Sequence, residues 1–185
     1  MNAMPTPAAD DAPVQEFSHC HEGIVAQLAE LARLPELAQA AVQARRIAAD
    51  TEKFVAEVVL VHHDEEEQEL FPAVLGSAQA GVERDKVRAL VERLTQDHRD
   101  IERAWHQLAP GVHAVARGRD ATLDAQGVAA FVARYRGHAG HEEQVFLPLA
   151  SEILGRNGNH MAALGLSLHT RHVLPDVLRR FGSAL

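Results

Sequence analysis

Two eleven-residue blocks constrain this chain more than any other feature: His62 to Pro72, HHDEEEQELFP, and His138 to Pro148, HAGHEEQVFLP. They align without a gap and match at His62/His138, Glu66/Glu142, Glu67/Glu143, Gln68/Gln144 and Pro72/Pro148, which marks an internal repeat. Each block sets an imidazole and a carboxylate four residues apart. On a helix such a pair lies about 40° apart around the axis and roughly one turn apart along it, so each block makes one two-pronged ligand face. The proline at each block's end is expected to close its helix in a turn. One such face cannot saturate a metal ion, whereas two facing helices supply two nitrogens and two carboxylates.

Further ligands are expected from two other helices. His21 leads Ile24, Leu28 and Leu31, and His98 leads Ile101, Trp105 and Leu108, so each histidine heads an apolar stripe at helical spacing and is expected to face a core. The interval from His21 to His62 is 41 residues and that from His98 to His138 is 40. The chain therefore reads as two copies of a helical hairpin, each contributing a His and then a His-x-x-x-Glu. Two carboxylates on inner faces cost several kcal/mol each without a counter-ion, on the order of a buried unpaired charge. A dinuclear metal centre held by His21, His62, Glu66, His98, His138 and Glu142 removes that cost.

Composition narrows the fold. Ala, Leu, Glu, Gln and Arg dominate, aromatic residues make up 4% of the chain, and strand-like alternation is scarce, so the expected fold is all-α. The formal charge of −8 offers no basic stripe for phosphates, which argues against a nucleic-acid partner and suits cation binding. A single cysteine, Cys20, excludes an intrachain disulfide and a Cys-rich metal or iron-sulfur site, and fits a reducing cytoplasm. The first residues have neither a basic nor an apolar signal-peptide region. No apolar run approaches the roughly 18 to 20 residues of a membrane span, so a soluble cytoplasmic protein without a membrane partner is expected.

In chain order, residues 1–13 read as a disordered tail and residues 14–155 as a four-helix unit. Helix one is expected from Val14 to Leu34, stopped by Pro35, with helix two following to about Leu70. Turns are expected at Gly76 to Gly81 and at Gly118 to Asp120, flanking a third helix from Val82 to Leu108 that Pro110-Gly111 ends or kinks. Helix four is expected from Leu123 to Leu147. After a break at Gly155 to Asn159, residues 156–185 read as a helical extension packed outside the bundle.

The neighbouring polar residues have plainer readings. Asp64, Glu65 and Glu67 read as a solvated acidic face. His63, about 100° around the helix from His62, is expected to point to solvent, the alternative being a fifth nitrogen at the edge of the site. Glu102, one turn after His98, is either an accessory ligand or a hydrogen-bond partner of a ligand. Glu143 replaces or assists Glu142 only if the helix rotates slightly. His19, His106, His113, His141 and His160 read as surface or outer residues, His169 and His172 as a weak pair, and Cys20 as a partly buried thiol.

Taken together, His21, the HHDEEEQELFP block, His98 in QDHRDIE and the HAGHEEQVFLP block resemble the haemerythrin-like (HHE cation-binding) family over about residues 15–155. That resemblance implies an up-down-up-down four-helix bundle holding two iron ions in an oxo- or hydroxo-bridged non-haem di-iron centre, with Glu66 and Glu142 bridging. Zinc or manganese would be substitutes for iron with this nitrogen and oxygen ligand set. Oxygen-carrying members have five histidines, including a His-x-x-x-His pair on helix three, where this chain has Glu102. The four-His, two-Glu set is closer to the di-iron proteins linked to iron-sulfur cluster repair and nitric oxide stress. The implied function is binding of O2, NO or peroxide for sensing, storage or iron handling, with an enzyme of stress response (NO or peroxide reduction, or iron-sulfur cluster repair) as the alternative, the redox partner being unknown. Ferritin-like proteins need Glu-x-x-His on two helices, and here only Glu16 with His19 has that spacing.

Overall fold

The computed structural model describes residues 12–156, and side chains from residue 16 onward. The described residues are helical with no strand: α1 (Ala12–Phe54), α2 (Leu60–Glu65), α3 (Phe71–Ser77), α4 (Val82–Ala116), α5 (Ala125–His141) and α6 (Leu147–Gly155). Widened π-helical turns at Val55–Val59, Glu66–Leu70 and Glu142–Phe146 join α1 to α2, α2 to α3 and α5 to α6. The expected tail at residues 1–11 and the extension beyond residue 156 lie outside the described residues.

Four prolines expected to end or kink a helix do not end one. α1 continues through Pro35, where helix one was expected to end, and α4 continues through Pro110 to Ala116. Leu, Ala, Gln and Glu crowd both sides of Pro35, and their helix propensity carries the chain across the one hydrogen bond that proline forfeits. Pro72 and Pro148 do not end their helices either. Each stands in the first turn of the next helix, α3 or α6, directly after a π turn. A proline ring clashes with the carbonyl four residues back, and the wider i→i+5 turn relieves that clash without breaking the helix. The expected turns are present: α3 ends at Ser77 ahead of Gly81, which takes φ 94°, and α4 ends ahead of Gly118, at φ 67°.

The chain divides into two compact units, Met1–Arg45 and Arg46–Leu185. In the first, His21, Ile24, Leu28 and Leu31 are exposed rather than turned to a core, with 49 to 57% of each aliphatic side chain's residue in solvent. In the second, two apolar clusters stand along α4. Val87 and Leu94 pack with Leu70, Phe71, Val74, Phe146 and Ile153 in one. Leu108 and Val112 pack with Ala48, Trp105 and Phe131 in the other. Between them along the same helix come His98 and Ile101, both essentially inaccessible. The buried positions of α4, Val87, Leu94, His98, Ile101, Leu108 and Val112, recur at three, four and seven residues, the single inward stripe that its sequence spells out.

Candidate metal centre

The second unit brings six ligand-type side chains together. His62 and His63 come from α2, Glu66 opens the π turn after it, His98 comes from α4, His138 from α5, and Glu142 opens the π turn after α5. His62 Nε2 lies 3.1 Å from Glu66 Oε1, His98 Nε2 lies 3.3 Å from Glu66 Oε2, and His138 Nε2 lies 3.8 Å from Glu142 Oε2. The rings of His63 and His98 stack at 3.9 Å and 5°, and His138 meets His98 edge-on at 4.7 Å. Two donor groups result, His63/His98/His138 and His62/Glu66/Glu142, with the ligand atoms of each group within 4.8 Å of one another. All but His62, whose side chain is 34% exposed, are buried.

Five residues expected at the site are thus found side by side: His62, Glu66, His98, His138 and Glu142. His21, the sixth, belongs to the first unit, where it is exposed and packs edge-on against Phe17.

Several neighbours differ from expectation. His63 is not in solvent but fully buried. The π turn Val55–Val59 supplies the reason: it inserts the equivalent of one residue into the helix, so the inward stripe runs Val55, Val59, His63, Glu66, Leu70, Val74 and passes His62 to the rim. That stripe contains a sequence signal, since Val55, Val59 and His63 are spaced by four. Glu67 is not a solvated carboxylate: Oε1 accepts from His98 Nδ1 at 2.8 Å and Oε2 pairs with Arg99. Glu102 joins that arrangement as a partner of Arg99 at 3.1 Å rather than as a ligand. Glu143, Asp64, His19, His106, His113 and Cys20 are exposed, which corrects the partly buried reading of the thiol, and His141 is half-buried. His160, His169 and His172 lie outside the described residues.

The electrostatics of the cluster are those of a site that wants cations. Both ring nitrogens of His63 and of His138, and Nε2 of His98, are buried without a hydrogen-bond partner. Each such orphan costs about 1–3 kcal/mol in desolvation. Burial, helped by His98 and His138, pushes His63 down to about 3, and burial with His98 pushes His138 down to about 4. Both rings are therefore neutral, with lone pairs free for a metal. Burial together with Glu66 raises the Glu142 carboxyl, whereas Glu66, despite its own burial, is held below the usual range by His98 and Glu142. The two carboxyls share one proton, because like charges this close do not both ionise without a counter-ion. His98 is raised: burial opposes its charge, and Glu66 and Glu67 outweigh that. Burial beside Glu66 and Glu142 pushes the Tyr135 phenol up to about 12 and keeps it protonated.

Imidazole nitrogens with carboxylate oxygens suit zinc, iron or manganese, and ligand atoms of the three buried histidines lie within 4.8 Å of one another with ring nitrogens left unpartnered, so the residues fit a metal site. Fold and site together define an all-helical cation-binding protein whose donors converge from separate helices. The family model described as the hemerythrin HHE cation binding domain matches residues 12–150, and the chain belongs to that family. No curated protein and no solved structure matches the chain significantly. Among the described residues, no helix is long and apolar enough to cross a membrane.

Proposed function

We propose that the protein holds a carboxylate-bridged, non-haem pair of iron ions and binds O2, NO or peroxide for sensing, storage or iron handling in the cytoplasm. The observation that carries this reading is the presence of two adjacent three-residue donor groups with Glu66 between them, one oxygen toward His62 and the other toward His98. A carboxylate with one oxygen toward each of two donor groups is suited to sharing between two ions. The finer fold that goes with this reading is the up-down-up-down four-helix bundle, and His21 is carried with it as a further ligand.

Bound iron would supply an open coordination position and a reversible change of charge. The chain's own part is separable. His63, His98 and His138 present neutral nitrogens, and Glu66 and Glu142 lose their shared proton when positive charge replaces it. Phe71 and Phe146, in edge-to-face contact at 5.2 Å, close the α3 and α6 side against water, and Phe71 also stacks on His98. Tyr135 keeps its phenolic proton, with its ring 6.3 Å from that of His63 and 6.1 Å from that of His138. An apolar wall with few polar groups suits a small diatomic ligand better than a large organic one.

The test is metal analysis of the purified chain together with anaerobic and aerobic absorption spectra. About two irons per chain, with spectra that change stoichiometrically on adding NO or peroxide, is the expected result. One ion or none overturns the dinuclear reading, and sustained consumption of NO or peroxide moves the protein to the enzyme class.

A further inference from the structure

Two consecutive carboxylates bracket one imidazole. Glu66 Oε2 stands 3.3 Å from Nε2 of His98, and Glu67 Oε1 stands 2.8 Å from Nδ1 of the same ring. Glu67 is itself braced: its second oxygen pairs with Arg99, and the other arm of Arg99 reaches Glu102 at 3.1 Å. The equivalent residue of the second repeat, Glu143, is exposed, and neither ring nitrogen of His63 or His138 has a hydrogen-bond partner. His98 alone among these three buried rings is therefore held from outside.

We infer that Glu67 is the positioning residue of His98: by accepting the Nδ1 hydrogen it fixes the tautomer and ring orientation that leave Nε2 as the donor atom toward a cation, with Arg99 and Glu102 bracing Glu67. A neutral imidazole carries one N–H and both flanking carboxylates can only accept, but Glu67 Oε1 is the nearer acceptor, at 2.8 Å against 3.3 Å for Glu66 Oε2, so the hydrogen goes to Nδ1 and the lone pair is left on Nε2. Nε2 is the atom turned toward Glu66 and the cluster. A carboxylate on the outer nitrogen also makes the inner one a stronger donor, and loss of such a partner typically lowers metal affinity by about 10 to 100-fold. The asymmetry of the repeat then makes the histidines of one donor group unequal: one electron-rich ring at His98, and unbraced rings at His63 and His138.

This rests on the metal-binding reading above, and the experiment separates the two. Imidazole 15N shifts of His98 in the metal-free full chain at about pH 8 report the tautomer without any metal, while zinc or cobalt(II) competition against a chelator reports affinity. Wild type is expected to show His98 with hydrogen on Nδ1. Glu67→Ala is expected to mix or reverse the tautomer and weaken zinc binding about 10 to 100-fold, with altered cobalt(II) absorption. Glu67→Gln, whose carbonyl still accepts from Nδ1, recovers most of both. Arg99→Ala, changed at the solvent end, gives a smaller loss in the same direction and serves if Glu67→Ala does not fold. A Glu67→Ala chain that keeps wild-type tautomer and affinity overturns the inference. Absence of zinc binding in the wild type overturns the metal reading, and the tautomer then still decides whether Glu67 sets the ring.

Discussion

Glu66 Oε2 approaches His98 Nε2 to 3.3 Å across the interval between the turn after α2 and the middle of α4, and the other oxygen of the same carboxylate faces His62 at 3.1 Å. One side chain thus joins both donor groups, and the consequences of removing it are larger than those of removing any rim residue.

Glu66→Ala and Glu142→Ala are each expected to drop metal content well below two ions per chain, measured by elemental analysis after iron loading. Full occupancy in either variant takes that glutamate out of the site. Melting of the metal-free Glu142→Ala chain should hold or rise, because that substitution removes a carboxyl whose ionisation burial and Glu66 oppose.

His63→Ala is expected to weaken zinc binding, though by less than His98→Ala, since both rings are fully buried in the same donor group but only His98 has a carboxylate on its outer nitrogen. Isothermal titration reads this directly. A His63→Ala chain with unchanged affinity would return that ring to a packing role.

The metal-free chain should have a stability maximum close to neutral pH. His63 and His138 sit at about 3 and about 4 when folded, below the ordinary value of 6.5, so the unfolded chain binds more protons between those values and stability falls as pH drops below about 6. Each contributes up to about 1.4 kcal/mol per pH unit in that window. Glu142 acts the other way. Its folded value of about 9 exceeds the ordinary 4.5, so its contribution is complete below 4.5 and is lost as pH rises through 9. His98, also raised, adds to that upper-side loss. Urea midpoints at pH 5, 6.5 and 8.5 should peak at the middle value, and a midpoint climbing steadily across the series would contradict the assignment.

Cation binding should raise the melting temperature, because ions satisfy nitrogens that the apo chain leaves buried and orphaned. Free zinc at 100 times its dissociation constant corresponds to about 2.7 kcal/mol of added stability. Differential scanning calorimetry before and after chelation measures it, and identical melting curves would show that no cation binds the folded state preferentially.

His21→Ala tests the remaining expected ligand. As a ligand it lowers iron content or changes the absorption of the loaded chain. A variant with wild-type stoichiometry and spectrum leaves His21 as the exposed helix residue that the first unit presents.

By itself the sequence determined the helical class, the inward stripe of α4 with His98 at its centre, and the pairing of His138 with Glu142 and His62 with Glu66, because i to i+4 spacing and apolar periodicity are local properties of a helix. It placed the turns at Gly81 and Gly118 for the same reason: only local backbone freedom was at issue. It misjudged Pro35, Pro72 and Pro148 as stops, since the tolerance of a proline depends on whether a widened turn or strong helix formers surround it. What the tertiary structure alone decided is which of two adjacent histidines turns inward, and that Glu67 reaches across to His98. A π turn shifts the helical phase by one residue, and no constant period of 100° registers that shift. A bond between residues 31 apart in sequence exists only once two helices have packed.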